Sequence, residues 1–212
     1  MREKKRLQLS DETIIGKGLA RTCYQHPGDA SICIKVDHFE ARDHTDTWRE
    51  VAYYRRIAFL KRHFSYRVIP RFYGVVETSV GRGAMFELIR DVDSGAIAKT
   101  LDDVPRDFLV RHYDQITQGV ESLIAGLFHD GILVRDLHPG NIVLQKRADN
   151  DLRMVVIDGI GHTEFIPLVD CFKCLARRKL RRYLKKPKFE TVQRFLEDLK
   201  NDGIVCDERG AR

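Results

Sequence analysis

Short runs of apolar and polar residues with strand character occupy the first part of the chain, whereas helical spacing dominates its middle and end. Ser31-Ile32-Cys33-Ile34-Lys35-Val36 has the period of two expected of a strand with one face on a core. Tyr73 to Thr78 and Gly83 to Ile89 are two more β-rich runs, and Gly81-Arg82-Gly83 between them predicts a hairpin. Asn141 to Gln145 and Arg153 to Ile157 predict another, closed by the turn-rich Ala148-Asp149-Asn150-Asp151. Trp48 to Leu60 reads as a helix with Asp46 or Thr47 as its N-cap. Leu109, Tyr113, Ile116, Val120, Leu123 and Leu127 share one helical face, which predicts an amphipathic helix ending near Gly131. Pro187 should terminate a basic helix, and Phe189 to Leu199 should form another with Val192, Phe195, Leu196 and Leu199 inward. Asp37 to Thr47 and Ser94 to Asp107 read as loops. The second separates a β-rich part, residues 10–92, from a helical part, residues 93–212, within one domain spanning 1–212. The fold class expected is α+β.

Composition narrows the setting. With 43% hydrophobic and 32% charged residues the chain has both a core and a charged surface. No apolar run approaches the ~20 residues that span a bilayer, and the basic Met1 to Arg6 is followed by no apolar signal region. A cytoplasmic protein is expected, and five scattered cysteines suit a reducing compartment better than a disulfide framework. Cys171 and Cys174 form a Cys-x-x-Cys, but Cys206 and a distant His are a poor supply of further zinc ligands, so incidental thiols are expected. The net charge of +6 matters less than its concentration. Lys173, Arg177, Arg178, Lys179, Arg181, Arg182, Lys185, Lys186 and Lys188 form a run with no acid among them. A solvated helix packed by its apolar residues is one reading of this run. An anionic partner at Lys173 to Lys188, whether nucleic acid, membrane or phosphorylated saccharide, is the other.

The candidate chemistry centres on Val134-Arg135-Asp136-Leu137-His138-Pro139-Gly140-Asn141 and the later Val155-Val156-Ile157-Asp158-Gly159. An Asp, an Asn five residues on and a second Asp after a hydrophobic run are what phosphoryl transfer from a nucleotide requires. Asp136 would steer an attacking hydroxyl, and Asn141 with Asp158 would hold Mg2+, whose shell is completed by water and phosphate oxygens. The competing reading is that Asp136 and Asn141 merely shape turns. Upstream, Gly16 and Gly18 form a turn whose backbone N–H groups could approach phosphates, although Arg21 stands near the place of a third glycine. Lys35 would engage phosphates from a strand and Glu50 would orient it, against the plainer reading of an exposed strand lysine and a solvated helical glutamate. Backbone groups at Glu87 and Ile89 could hydrogen-bond an adenine.

These elements occur in the order of the protein-kinase-like superfamily, and Asp136 to Asn141 looks more like its small-molecule phosphotransferase branch. More closely, Arg21 to Pro27, Cys33 to Val36, Ile69 to Gly74, Val76-Glu77-Thr78 and Asp158 to Gly161 with Ile166-Pro167-Leu168 resemble the YrbL family of bacterial PhoP-regulatory-network proteins. The resemblance covers roughly residues 10 to 200 and implies a compact two-lobed kinase-like fold with a reduced helical C-lobe. It settles no substrate. Val134 replaces the usual His, Gly159-Ile160-Gly161 follows the metal Asp, and no Ala-Pro-Glu segment follows. A small-molecule or atypical acceptor is therefore expected, with ATP as donor. The alternatives are a non-catalytic kinase-like regulator and, more distantly, a nucleic-acid or membrane-binding module built on the basic tail. Oligomeric state is not legible.

Overall fold

The computed structural model describes residues 6–38, 46–60, 65–148, 151–162, 172–185 and 187–210, the stretches 187–190 and 204–210 by backbone only. The α+β class expected from the hydropathy pattern is observed. The chain divides into two compact units, residues 1–62 with 70–89, and residues 63–69 with 90–212.

The first unit is a five-stranded antiparallel sheet, order β1-β2-β3-β5-β4, with one helix. Its elements are β1 (Ile14–Lys17), β2 (Arg21–His26), β3 (Asp29–Asp37), α1 (Asp46–Leu60), β4 (Phe72–Thr78) and β5 (Gly81–Glu87). β3 is central, so Cys33 to Val36 are buried consecutively instead of alternating. Ile34 and Val36 pack with Leu9 and Tyr24. α1 turns Glu50, Val51, Tyr53, Tyr54 and Ile57 inward, and Tyr54, Phe72 and Phe86 pack ring on ring with centroids 5.3–5.8 Å apart. The β4–β5 hairpin turns at Ser79 and Val80, one step earlier than expected, and Gly81 to Gly83 belong to the strand. Register explains the glycines: Gly81 has φ +132°, and a Cβ on Gly83 would lie 2.5 Å from Ile34 Cγ2.

The second unit contains β6 (Lys99–Thr100), α2 (Arg106–Arg111), α3 (Tyr113–Asp130), β7 (Ile142–Lys146), β8 (Leu152–Val156), α4 (Lys173–Tyr183) and α5 (Pro187–Gly210). Strands β6-β7-β8 form a small antiparallel sheet. The single helix expected from Leu109 to Leu127 is two helices that meet at His112, whose Nδ1 lies 2.8 Å from the Phe108 carbonyl and whose ring stacks on Phe108. The apolar face is kept across the break, with Leu109, Ile116, Val120, Leu123 and Leu127 buried. Gly131 closes α3 in the left-handed conformation at φ 63°, its N–H donating to Phe128 O. Residues 65–69 also belong here: Val156 N donates to Val68 O, and the Arg153 guanidinium donates to the carbonyls of Tyr66 and Arg67. α5 starts at Pro187, a residue suited to the first turn because it has no N–H to satisfy. Val192 and Leu199 are its buried residues among those described.

Candidate functional site

In the first unit the sequence folds so that Lys35 faces α1. Its strand neighbours Ile34 and Val36 take the opposite face of the sheet, because side chains alternate along β3. Lys35 Nζ donates to Glu50 Oε2 at 2.9 Å, and it lies 4.7 Å from the centroid of the Phe86 ring. Lys35 is only 6% exposed and Glu50 0%, so neither the exposed lysine nor the solvated glutamate considered above is what the fold contains.

Arg21 is the residue sequence reasoning missed. Its guanidinium reaches Glu50 Oε2 at 3.6 Å and donates to Thr47 Oγ1 at 2.8 Å, and Thr47 in turn donates to Asp37 Oδ1 at 2.5 Å. α1 begins at Asp46, so Asp46 and Thr47, the two N-cap candidates, both lie within the helix, and Thr47 turns its hydroxyl to Asp37. The signal was available in the β2–β3 register, which sets Arg21 opposite Asp37. Glu50 thus lies between two cations, and the chain Asp37–Thr47–Arg21–Glu50–Lys35 ties the start of α1 to β2 and β3.

Gly16 lies at the end of β1 and Gly18 in the turn that follows, where Gly18 N donates to Arg21 O at 2.9 Å. A Cβ on Gly16 would meet nothing within 4 Å, and one on Gly18 only Arg21 O at 3.6 Å. The folded chain itself does not require glycine at either place. Glu87 ends β5, with its N–H donated to Arg71 O and its carbonyl 4.0 Å from Cys33 Sγ. What it retains for a base edge is chiefly that carbonyl, since a thiol is a weak donor. Ile89 is buried. Burial also pushes the Cys33 thiol up to about 12, which keeps it un-ionised.

In the second unit the Asp136 loop follows α3 and is held by short backbone pairs. Arg135 N donates to Gly159 O at 2.6 Å and Gly161 N to Leu133 O at 2.7 Å, which set the segments around Asp136 and Asp158 side by side. Gly159 is required here: its φ is +69°, and a Cβ would lie 3.0 Å from Asp136 Cβ and 3.1 Å from Asp136 N. Asn141 Nδ2 donates to Asp136 O at 3.0 Å, and Ile157 N donates to Asn141 O at 3.0 Å. The hairpin register Ile142↔Val156 places Asn141 and Asp158 at the same end of β7–β8. The Asn141 amide nitrogen is turned to its own loop, so the amide oxygen is the atom of this side chain that could ligate a metal. Asp158 Oδ1 accepts from Gly159 N at 2.5 Å, and Asp136 Oδ2 lies 3.9 Å from His138 Nε2. His138 Nδ1 accepts from Gly140 N, so the histidine also shapes the loop.

Among the described residues no group of three or more His, Cys, Asp or Glu side chains is gathered as a protein-only metal cage would be. One carboxylate and one amide oxygen instead match the needs of Mg2+, which keeps waters and takes phosphate oxygens. The Cys-x-x-Cys motif falls partly outside the described residues, at Cys171. Cys174 is an exposed free thiol, and the side chain of Cys206 is not among those described.

The basic run forms α4, and its apolar residues divide. Ala176 and Leu180 are buried, Leu175 is exposed, and Lys186 and Lys188 lie outside the described side chains. α4 is docked by Arg177, which donates to Phe128 O and His129 O at the end of α3, and by the Tyr183 hydroxyl, which donates to Arg135 O. Burial and the neighbouring Asp136 carboxylate raise the Tyr183 phenol above its ordinary value. No helix among the described residues is long and apolar enough to cross a membrane.

A buried Lys–Glu pair in a β-rich unit and an Asp, Asn and Asp clustered by a hairpin in a helical one define an α+β protein with two sets of phosphate- and metal-compatible groups. The family model for PhoP regulatory network protein YrbL matches residues 7–206. The chain is 30% identical over 181 residues to YrbL of Escherichia coli (strain K12), itself described as uncharacterized, covering 85% of each chain. The match to YrbL of Shigella flexneri has the same identity and coverage. This chain belongs to the YrbL family.

Proposed function

We propose that this chain is a kinase-like phosphotransferase that binds ATP with Mg2+ and transfers the γ-phosphoryl group to a hydroxyl of a small-molecule or atypical acceptor. A two-lobed protein-kinase-like architecture is part of the same reading. The observation that carries it is the Lys35–Glu50 pair, 2.9 Å apart and removed from water. Two buried charges are a poor way to gain stability, because desolvation offsets most of their attraction. Holding a lysine ammonium in one place for a polyanionic ligand gives the pair a purpose.

Each remaining group has a part that its surroundings allow. Gly16 leaves room for phosphates over backbone that no neighbouring atom fills, and beside Gly18 only Arg21 O comes within 4 Å of where a Cβ would stand. The Glu87 carbonyl and the backbone of Ile89 would take the adenine edge. Asn141 Oδ1 and Asp158 would hold Mg2+, which when bound supplies charge neutralisation on the phosphates. Asp136, half-buried and fixed through its carbonyl by Asn141, would accept a hydrogen bond from the acceptor hydroxyl and receive its proton.

Thermal shift with ATP, with and without Mg2+, tests the binding step, since a ligand that binds the folded state raises its apparent stability. Asp136→Asn should nearly abolish nucleotide turnover while binding survives, and Asp158→Asn should weaken the Mg2+-dependent part of binding. Turnover unchanged in Asp136→Asn overturns the assignment. The family's description as part of a regulatory network favours a second reading, a kinase-like regulator that binds nucleotide without consuming it. Binding with no turnover in the wild-type chain, across a screen of hydroxyl acceptors, would select it.

A further inference from the structure

Among the described residues, helix α4 meets the rest of its unit along the side of Ala176, Leu180 and Tyr183, with Arg177 clipped to α3. Arg178, Arg181 and Arg182, with Lys185 in the turn just beyond, recur at i, i+3, i+4 and i+7, which puts all four on a second, outward side. All four are exposed, and no acidic residue interrupts the sequence from Lys173 to Lys185. At the amino end Phe172 is 55% exposed and Leu175 40%.

We infer that this outward side is the surface by which the protein lies on an anionic phospholipid membrane. Guanidinium groups pair with phosphates in two-pronged fashion and carry an apolar stem that tolerates the headgroup boundary. Exposed Phe and Leu beside such a row are what an interfacial helix inserts below the headgroups. Nucleic acid is the weaker fit. Tyr183, the sole aromatic side chain within the helix, is turned to Arg135 and offers no base a stacking platform. The helix is already docked, so binding requires little further ordering of the chain. This inference does not rest on phosphoryl transfer, because the row faces away from Tyr183 and the Asp136 loop.

Co-sedimentation with phosphatidylcholine vesicles, with and without about one third phosphatidylglycerol, tests it using the full chain. Binding is expected only to the anionic vesicles and should weaken with salt. The quadruple variant Arg178→Gln/Arg181→Gln/Arg182→Gln/Lys185→Gln should lower the partition coefficient by roughly two to three orders of magnitude, since each cation near such a surface contributes about fivefold. Phe172→Ser/Leu175→Ser should lower it by a smaller factor that salt does not change. An unchanged Tm and far-UV circular dichroism in both variants would show that the fold is intact and the loss is one of membrane binding. Equal binding to neutral vesicles, no binding to anionic ones, or tighter binding to duplex or single-stranded nucleic acid at the same salt overturns the inference.

Discussion

Replacing Glu50 by Gln should destabilise the protein more than replacing Lys35 by Met, and the reason lies in the count of cations around one carboxylate. Glu50 Oε2 is 2.9 Å from Lys35 Nζ and 3.6 Å from Arg21 Nη1. With an effective dielectric of about 20, the gross attractions are about 6 and about 5 kcal/mol, before desolvation offsets most of each. Lys35→Met removes one cation and leaves the carboxylate with Arg21. Glu50→Gln removes the carboxylate from both cations, and Lys35 remains in its buried position beside α1. Breaking a buried pair costs about 3–5 kcal/mol, so Glu50→Gln should fall in that range and Lys35→Met nearer 2 kcal/mol. In the double variant no lysine charge remains to be stranded, so it should cost less than the sum of the singles by at least ~1.5 kcal/mol. Urea unfolding can be followed by fluorescence of Trp48, the chain's single tryptophan, which sits in α1 two residues before Glu50. At about 2–4 °C per kcal/mol the larger loss corresponds to a fall in Tm of roughly 6–20 °C. Additive costs, or Lys35→Met as the costlier change, would refute the shared-carboxylate account.

Two further changes separate residues that shape the fold from those that leave it room. Gly159→Ala should cost about 1–3 kcal/mol and perturb the amide signals of the Asp136 loop, because it meets both a positive φ and Asp136 Cβ at 3.0 Å; Gly16→Ala, with no atom within 4 Å of the new methyl, should leave Tm within about 1 °C and lower nucleotide affinity. Tyr183→Phe should lose about 1 kcal/mol with the hydrogen bond to Arg135 O. Because the folded-state phenol is raised, its stabilising contribution is full below the unfolded value near 10 and is lost as pH rises through the folded value. Wild-type stability should therefore fall above about pH 10 faster than that of the Phe variant, by at most about 1.4 kcal/mol per pH unit, and parallel pH curves would disprove the assignment.

Much of this arrangement was legible from residue pattern alone. The runs at Ser31 to Val36, Tyr73 to Thr78, Asn141 to Gln145 and Arg153 to Ile157 fall on strands, and the apolar spacing from Leu109 to Leu127 is helical, because local periodicity reports which face a segment buries. The hairpin between Asn141 and Asp158 could be foreseen because its ends are close in sequence. Other features depended on contacts between distant residues. The Lys35–Glu50 pairing could be named from the order of strand and helix, but local pattern left an exposed strand lysine as an equal reading, because the burial of the pair depends on how α1 packs on the sheet. Arg21 looked like a blemish in a glycine turn, and only the pairing of β2 with β3 shows its place in the Glu50 network. Tyr183 reaches Arg135 across 48 residues of sequence, a contact that no window of local pattern spans.

The short segment before β4 gives the chain an interleaved order. Tyr66, Arg67 and Val68 belong with β8, and the Arg153 side chain reaches the Arg67 carbonyl from 86 residues further on. As the polypeptide leaves the ribosome, these carbonyls emerge well before the strand that will satisfy them, while β4 and β5 of the other unit are made in between. The first unit can thus complete its sheet while Val68 still waits for its partner. Neither unit corresponds to an unbroken stretch of gene, so a cut placed after Ile89 yields a carboxy-terminal piece that lacks part of its own framework.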